Sequence, residues 1–175
     1  VMKAAVECGA AIINDVTALE GDSQSLSVAA ASQASVILIH MQGDPGTMQQ
    51  NPQYDDVAMD IFDYLKARVV ACEKGGISRN RIAVDPGIGF GKTLDHNLQI
   101  ISRLGIFRGL GCPIVLGVSR KRFIGLLDND APVGERLAGS LAAALRGISE
   151  GAGILRVHDV AETRQALNVW QAIKS

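Results

Sequence analysis

The most unusual run in the chain is Asp85-Pro86-Gly87-Ile88-Gly89-Phe90-Gly91-Lys92-Thr93, a carboxylate that closes a short apolar stretch and opens a glycine-rich loop. A phosphate loop of the form GxxxxGK[ST] fails by register, because Pro86 stands where its first glycine must be. GxGxxG fails too, because Lys92 stands in place of its last glycine. What remains is a carboxylate that can grip a planar, amidine-like edge with two hydrogen bonds. The loop after it has little Cβ bulk, so a flat ligand can approach the backbone. The plainer alternative is a turn capped by Asp85.

Four further segments carry polar chemistry. Ser119-Arg120-Lys121-Arg122 follows the apolar run Ile114-Val115-Leu116-Gly117-Val118. Three adjacent cations repel one another unless an anion or polar ligand lies nearby; the alternative is a solvated basic turn. In Arg156-Val157-His158-Asp159, strand alternation puts Arg156 and His158 on one side, and a helix start beside them suits pyrophosphate. Asp159 is expected to cap that helix, and the alternative is an Arg–Asp pair beside a core histidine. Asn14 offers a donor and an acceptor to a heterocycle edge, or forms an Asx turn. His40 reads best as a hydrogen-bonded core histidine, and Met41 as a polarizable wall or as core. The loop 42–53, with Gly43, Pro45, Gly46 and Pro52, is long enough to border an active site. His40, His96 and His158 lack metal-ligand spacing.

These segments need elements to hold them. Apolar runs end at Asn14, His40, Asp85, Ser119 and Arg156, and each reads as a strand buried on both faces in a parallel sheet. Helix-period segments fill the gaps. In 54–74, Val57, Ile61, Leu65, Val69 and Cys72 share a face. In 135–150, Leu137, Leu141, Leu145 and Ile148 do so. Leu98, Ile101 and Leu104 mark a helix with Asp95 as N-cap. The segment 159–173 turns Val160, Leu167 and Trp170 inward. Weaker helices are expected over 22–33 and 1–8. Units of roughly 35 residues repeat in the order βα, which predicts a parallel α/β sheet, open or closed into a barrel. Polar residues at every strand end favour the (β/α)8 TIM barrel.

Composition excludes several functions. With 175 residues, 17 Lys+Arg against 18 Asp+Glu and 4% aromatics, the chain offers neither a basic surface for nucleic acid nor a stacking platform. With 47% hydrophobic and 20% charged residues it should fold around a sizeable core. Cys8, Cys72 and Cys112 form no CxxC pair and read as reduced core thiols of a cytoplasmic protein. The uncharged stretch 23–43 is broken too often by Ser, Gln and His to span a membrane. Val1 stands in place of an initiator Met, so the chain is expected to begin inside a longer one.

Taken in order, Ile13-Asn14-Asp15-Val16, His40-Met41-Gln42-Gly43, Asp85-Pro86-Gly87-x-Gly89-Phe90-Gly91-Lys92, Ser119-Arg120-Lys121 and Arg156-Val157-His158-Asp159-Val160 resemble the C-terminal two-thirds of the dihydropteroate synthases, a pterin-binding family of folate biosynthesis. The resemblance implies a (β/α)8 TIM barrel of which residues 1–175 supply about the last five βα units as one pterin-binding domain, the N-terminal strands being absent. It implies a transferase that joins 6-hydroxymethyl-7,8-dihydropterin pyrophosphate to p-aminobenzoate. Carried over by motif, the pterin falls to Asn14, Met41, Asp85, Gly117 and Lys121, and p-aminobenzoate to Phe90 and Arg122. Pyrophosphate falls to Arg156, Val157 and His158. Lys121, Arg156 and His158 are the catalytic candidates, and Ser119 is not read as a nucleophile. Mg2+ is the implied cofactor, with its ligand expected in the missing N-terminal part. A cytoplasmic homodimer acting on small molecules is expected, inactive as the 175 residues alone. A pterin-binding methyltransferase and a non-catalytic barrel fragment remain alternatives.

Overall fold

The computed structural model describes residues 1–44, 46–48 and 50–174. The expected loop 42–53 therefore lies partly outside the described residues. Among the described residues, five short strands alternate with helices: α1 (Met2–Glu7), β1 (Ile12–Asp15), α2 (Ser25–Ala31), β2 (Ser35–Ile39), α3 (Val57–Lys74), β3 (Ile82–Asp85), α4 (Leu94–Ser102), β4 (Val115–Leu116), α5 (Arg122–Leu127), α6 (Leu137–Glu150), β5 (Ile154–Leu155) and α7 (Val160–Lys174). Pairing is parallel in a β1-β2-β3 sheet and a β4-β5 sheet, and a parallel bridge from Val84 to Ile114 sets β3 beside β4. The strands thus lie side by side in chain order, with every C-terminal end on one side. This is an α/β fold with parallel sheets.

Burial follows from strand position. All four residues of β3 are buried, as a strand flanked on both edges and covered on both faces must be. β1 and β5 end the row. In β1 only Ile13 is buried, and in β5 Ile154 is 43% exposed, so the expectation of two buried faces fails at both ends.

The helices show how the chain is pinned. α3 buries Val57, Ile61, Leu65, Val69 and Cys72, the face its periodicity marks. It starts at Asp56, whose carboxylate accepts from the Ala58 and Met59 N–H groups and pairs with Arg103, which holds its pKa below the usual range. α4 is capped by Thr93, not Asp95. The Thr93 hydroxyl accepts from His96 N–H and the His96 ring accepts from Thr93 N–H, while Asp95 is spent on Gln99.

In α6 the leucines do share a face, but it is not the face that lies on the sheet. Ser140, Ala144 and Gly147 face the core, and a Cβ on Gly147 would run into Leu116, so this helix lies close on β4 through small residues. Leu137, Leu141 and Leu145 face α7 across a groove of about 570 Å3. In α7, Val160 is exposed, against the expectation that it turns inward, and Thr163 is buried. Of the cysteines, Cys72 and Cys112 are buried and free, whereas Cys8 is exposed. No helix among the described residues is long and apolar enough to cross a membrane.

Candidate active site

Parallel strands in one row deliver their terminal side chains to one end of the sheet. Asp85, at the end of the most enclosed strand, is completely buried. Its Oδ1 accepts from Gly87 N–H at 2.8 Å. Its Oδ2 lies 2.8 Å from Arg156 Nη1 but off the hydrogen-bonding direction, so this buried oxygen has a charge partner and no hydrogen bond. Burial raises the Asp85 pKa, and Arg156, the Gly87 N–H and Lys121 oppose it. The same Arg156 Nη1 donates to Asn14 Oδ1 at 3.1 Å. Asn14, Asp85 and Arg156, from β1, β3 and the end of β5, therefore meet. The guanidinium also lies on Gly117, where a Cβ would come within 2.5 Å of Nη2.

The β3–α4 loop forms a second group. Lys121 Nζ sits 4.1 Å from the centre of the Phe90 ring, a cation–π contact, and its stem lies against Gly89. Burial lowers the Lys121 pKa, with Arg156 adding to that and Asp85 opposing it. Arg122 is exposed and lines a cavity of about 360 Å3 with Gly89, Lys121, Phe123 and Asn97.

Ser119 and His158 make the third group. Ser119 Oγ lies 2.9 Å from His158 Nδ1 and accepts from His158 N–H at 3.2 Å. This is not a triad, because Asp159 pairs with Arg120 rather than with the histidine or the helix end. One of the three adjacent cations is thus neutralised internally, and Asp159 sits well below the usual carboxylate range beside it. Val157 is half-buried and faces Ile148, Val160 and Leu167 in a separate cavity of about 240 Å3. Met41 is half-buried beside His40 in the chain.

His40 is the hydrogen-bonded core histidine anticipated for it. It is buried against the Tyr64 ring, and Nδ1 lies 3.0 Å from Lys92 Nζ. Burial first, then Lys92, lowers its pKa to about 3. Lys92 is what the sequence reading missed. It is 2% exposed, also donates to the Phe90 carbonyl at 2.8 Å, and is pushed down by burial to about 7. Asn97 and Tyr54 were missed as well. Asn97 Oδ1 accepts from Gly89 N–H at 2.7 Å, and the Tyr54 hydroxyl donates to the Gly91 carbonyl at 2.8 Å. Lys92 had a signal, its place in a loop whose phosphate-loop reading fails. Asn97 and Tyr54 are set by tertiary distance alone. Among the described residues, no group of three or more His, Cys, Asp or Glu side chains could hold a metal ion.

Residues 1–158 match the family described as "Pterin binding enzyme". Over 175 residues the chain is 43% identical to the dihydropteroate synthase of Escherichia coli K12, covering 100% of this chain and 61% of that relative. It is 46% identical over 168 residues to the dihydropteroate synthase of Neisseria meningitidis serogroup B, covering 94% and 59%. The dihydropteroate synthase of Stenotrophomonas maltophilia, solved with imidazole in its active site, superposes with a TM-score of 0.96 at 44% identity, over 99% of this chain and 65% of that one. The Xanthomonas albilineans enzyme in complex with 7,8-dihydropteroate gives 0.92 at 42%, over 99% and 65%. The chain spans about three-fifths of the length of these curated relatives.

Proposed function

Because the chain belongs to the pterin-binding enzymes, we propose that it carries the pterin and pyrophosphate sites of a dihydropteroate synthase, a transferase of folate biosynthesis built on a (β/α)8 barrel. Residues 1–175 act as one domain of that barrel. The observation that carries the reading is the fully buried Asp85, with an oxygen lacking a hydrogen bond, joined to Asn14 through Arg156 at one sheet end. A neutral heterocycle with adjacent N–H groups is the ligand such a carboxylate suits. The solved Xanthomonas relatives with 7,8-dihydropteroate and with 4-aminobenzoic acid, and the Thermus thermophilus relative with 6HMPPP, support the same ligands here.

In this reading Asp85 takes the pterin N3–H and 2-amino group, and Asn14 the other side of the ring. Lys121 bonds the carbonyl and ring-nitrogen edge, while Met41 and Gly117 line the faces. Arg156, His158 and the Val157 backbone hold pyrophosphate. Phe90 and Arg122 border p-aminobenzoate. The bond from the pterin methylene carbon to the pyrophosphate oxygen breaks, and its electron pair leaves on that oxygen. The arylamine nitrogen then bonds the methylene carbon and gives up a proton to water. Charge grows on the leaving group in this step, so the Arg156 cation and a hydrogen-bond donor at His158 act where they count most. No enzyme nucleophile is needed, so Ser119 serves to orient His158. The resemblance also implies Mg2+, and among the described residues no group of three or more His, Cys, Asp or Glu side chains fits it. A cytoplasmic homodimer completes the reading.

Complementation tests it. The full-length gene should restore growth without folate end-products in a strain lacking dihydropteroate synthase; failure of a soluble, expressed protein to do so counts against it. Methyl transfer to a corrinoid without pyrophosphate release would favour the methyltransferase alternative instead.

A further inference from the structure

The reading above asks Arg156 to hold pyrophosphate, yet its guanidinium lies across the pterin site. Nη1 is 2.8 Å from Asp85 Oδ2 and 3.1 Å from Asn14 Oδ1, and the group rests on Gly117. Those residues are the ones proposed to hold two sides and one face of the ring. A flat heterocycle and a guanidinium cannot fill the same close-packed space. We infer that Arg156 is a surrogate ligand of the pterin pocket, standing in for the pterin's amidine-like edge until substrate displaces it onto the pyrophosphate. The inference rests on the proposed function.

The chemistry of the exchange favours the substrate. Guanidinium and the 2-amino, N3–H edge present the same adjacent N–H donors to a carboxylate. Arg156 offsets the charge of Asp85 but leaves Oδ2 without a hydrogen bond, and a ligand N–H aimed at that oxygen supplies what the arginine does not. The displaced side chain has somewhere to go. It is 38% exposed at the mouth of the site, and His158, two residues on, is exposed beside it. A pyrophosphorylated pterin gives the released cation a partner, whereas a neutral pterin must compete with it and offers none. Arg156 thereby makes the pocket selective for the activated substrate, because the occupied state lowers the apparent affinity of any ligand that cannot repay its displacement.

Calorimetry on the full-length protein at about pH 8 tests this, with 6-hydroxymethylpterin and its pyrophosphate ester as ligands. In Arg156→Gln the neutral pterin should bind as tightly as in wild type or several-fold tighter, while the ester weakens by about tenfold or more. Equal loss for both ligands overturns the inference, since Arg156 would then be an ordinary contact. A crystal structure of the wild type with the neutral pterin needs no variant. Arg156 Nη1 should have left Asp85, and a contact kept beside the bound ring overturns the inference. Wild-type protein that binds neither compound overturns the pterin reading itself, a result distinct from the other two.

Discussion

At the scale of single residues, the site turns on charges held in a dry place. Asp85 keeps one hydrogen bond from Gly87 and one charge contact from Arg156. Asp85→Asn preserves the shape and can still accept from Gly87, but it removes the charge that strengthens bonds to a donor edge. Pterin affinity should fall by roughly ten- to a hundredfold, about 1.5–3 kcal/mol; unchanged binding by calorimetry contradicts the assignment. His40 provides a pH test. Its pKa is near 3 in the fold against an ordinary 6.5, so the unfolded chain takes the proton first. The stability gained from a neutral ring is present above about pH 6.5 and lost as pH falls toward 3. Asp85, whose pKa is raised, runs the other way, and comparison with a variant therefore isolates the histidine. His40→Asn should flatten the acid limb of stability against pH in urea unfolding, and an unaltered slope contradicts the burial argument. The place of Asn14, Asp85 and Arg156 at strand ends was legible because each closes an apolar run. The Arg156–Asp85 contact was not, since it joins residues distant in the chain.

At the scale of elements, the strands were legible and the helix faces only in part. Every apolar run contributed a strand, and the run in the middle of the row, β3, buries both faces where β1 and β5 at its ends do not. α6 misled because a helix can pack through its small residues. Leu137, Leu141 and Leu145 draw the eye, yet Gly147 and Ala144 let the backbone approach β4. α5 was hidden under the basic turn, although Phe123 and Ile124 are buried in it. The β3–α4 loop is a built element, fixed by Lys92, Asn97 and Tyr54 from three directions. Gly87 holds its entry with φ +71°, and a Cβ there would collide with the His40 carbonyl oxygen. Gly87→Ala should cost about 3 kcal/mol or more, combining left-handed strain with a clash against backbone. Gly134→Ala meets open space and should be near neutral. Equal denaturation midpoints for the two variants contradict this account of the loop.

At the scale of the whole molecule, one end of the sheet gathers the chemistry and the far helices carry apolar surface. Val169 and Ile173 of α7 are exposed, and the groove between α6 and α7 is lined by leucines. If that groove pairs two copies, Leu141→Glu with Val169→Glu should shift the full-length protein toward monomer in sedimentation, with the fold retained. An unchanged sedimentation profile rejects pairing through this groove. The parallel row of strands was legible from the spacing of strand ends. Which cation meets which acid depends on how that row is arranged in space, and spacing along the chain does not contain it. The most direct measurement of the central claim is product formation by the full-length protein from 6-hydroxymethyl-7,8-dihydropterin pyrophosphate and p-aminobenzoate. Dihydropteroate and pyrophosphate should appear in equal amounts, with kcat/KM reduced by about tenfold or more in Asp85→Asn. Absence of both products, or turnover indifferent to Asp85→Asn, would contradict it.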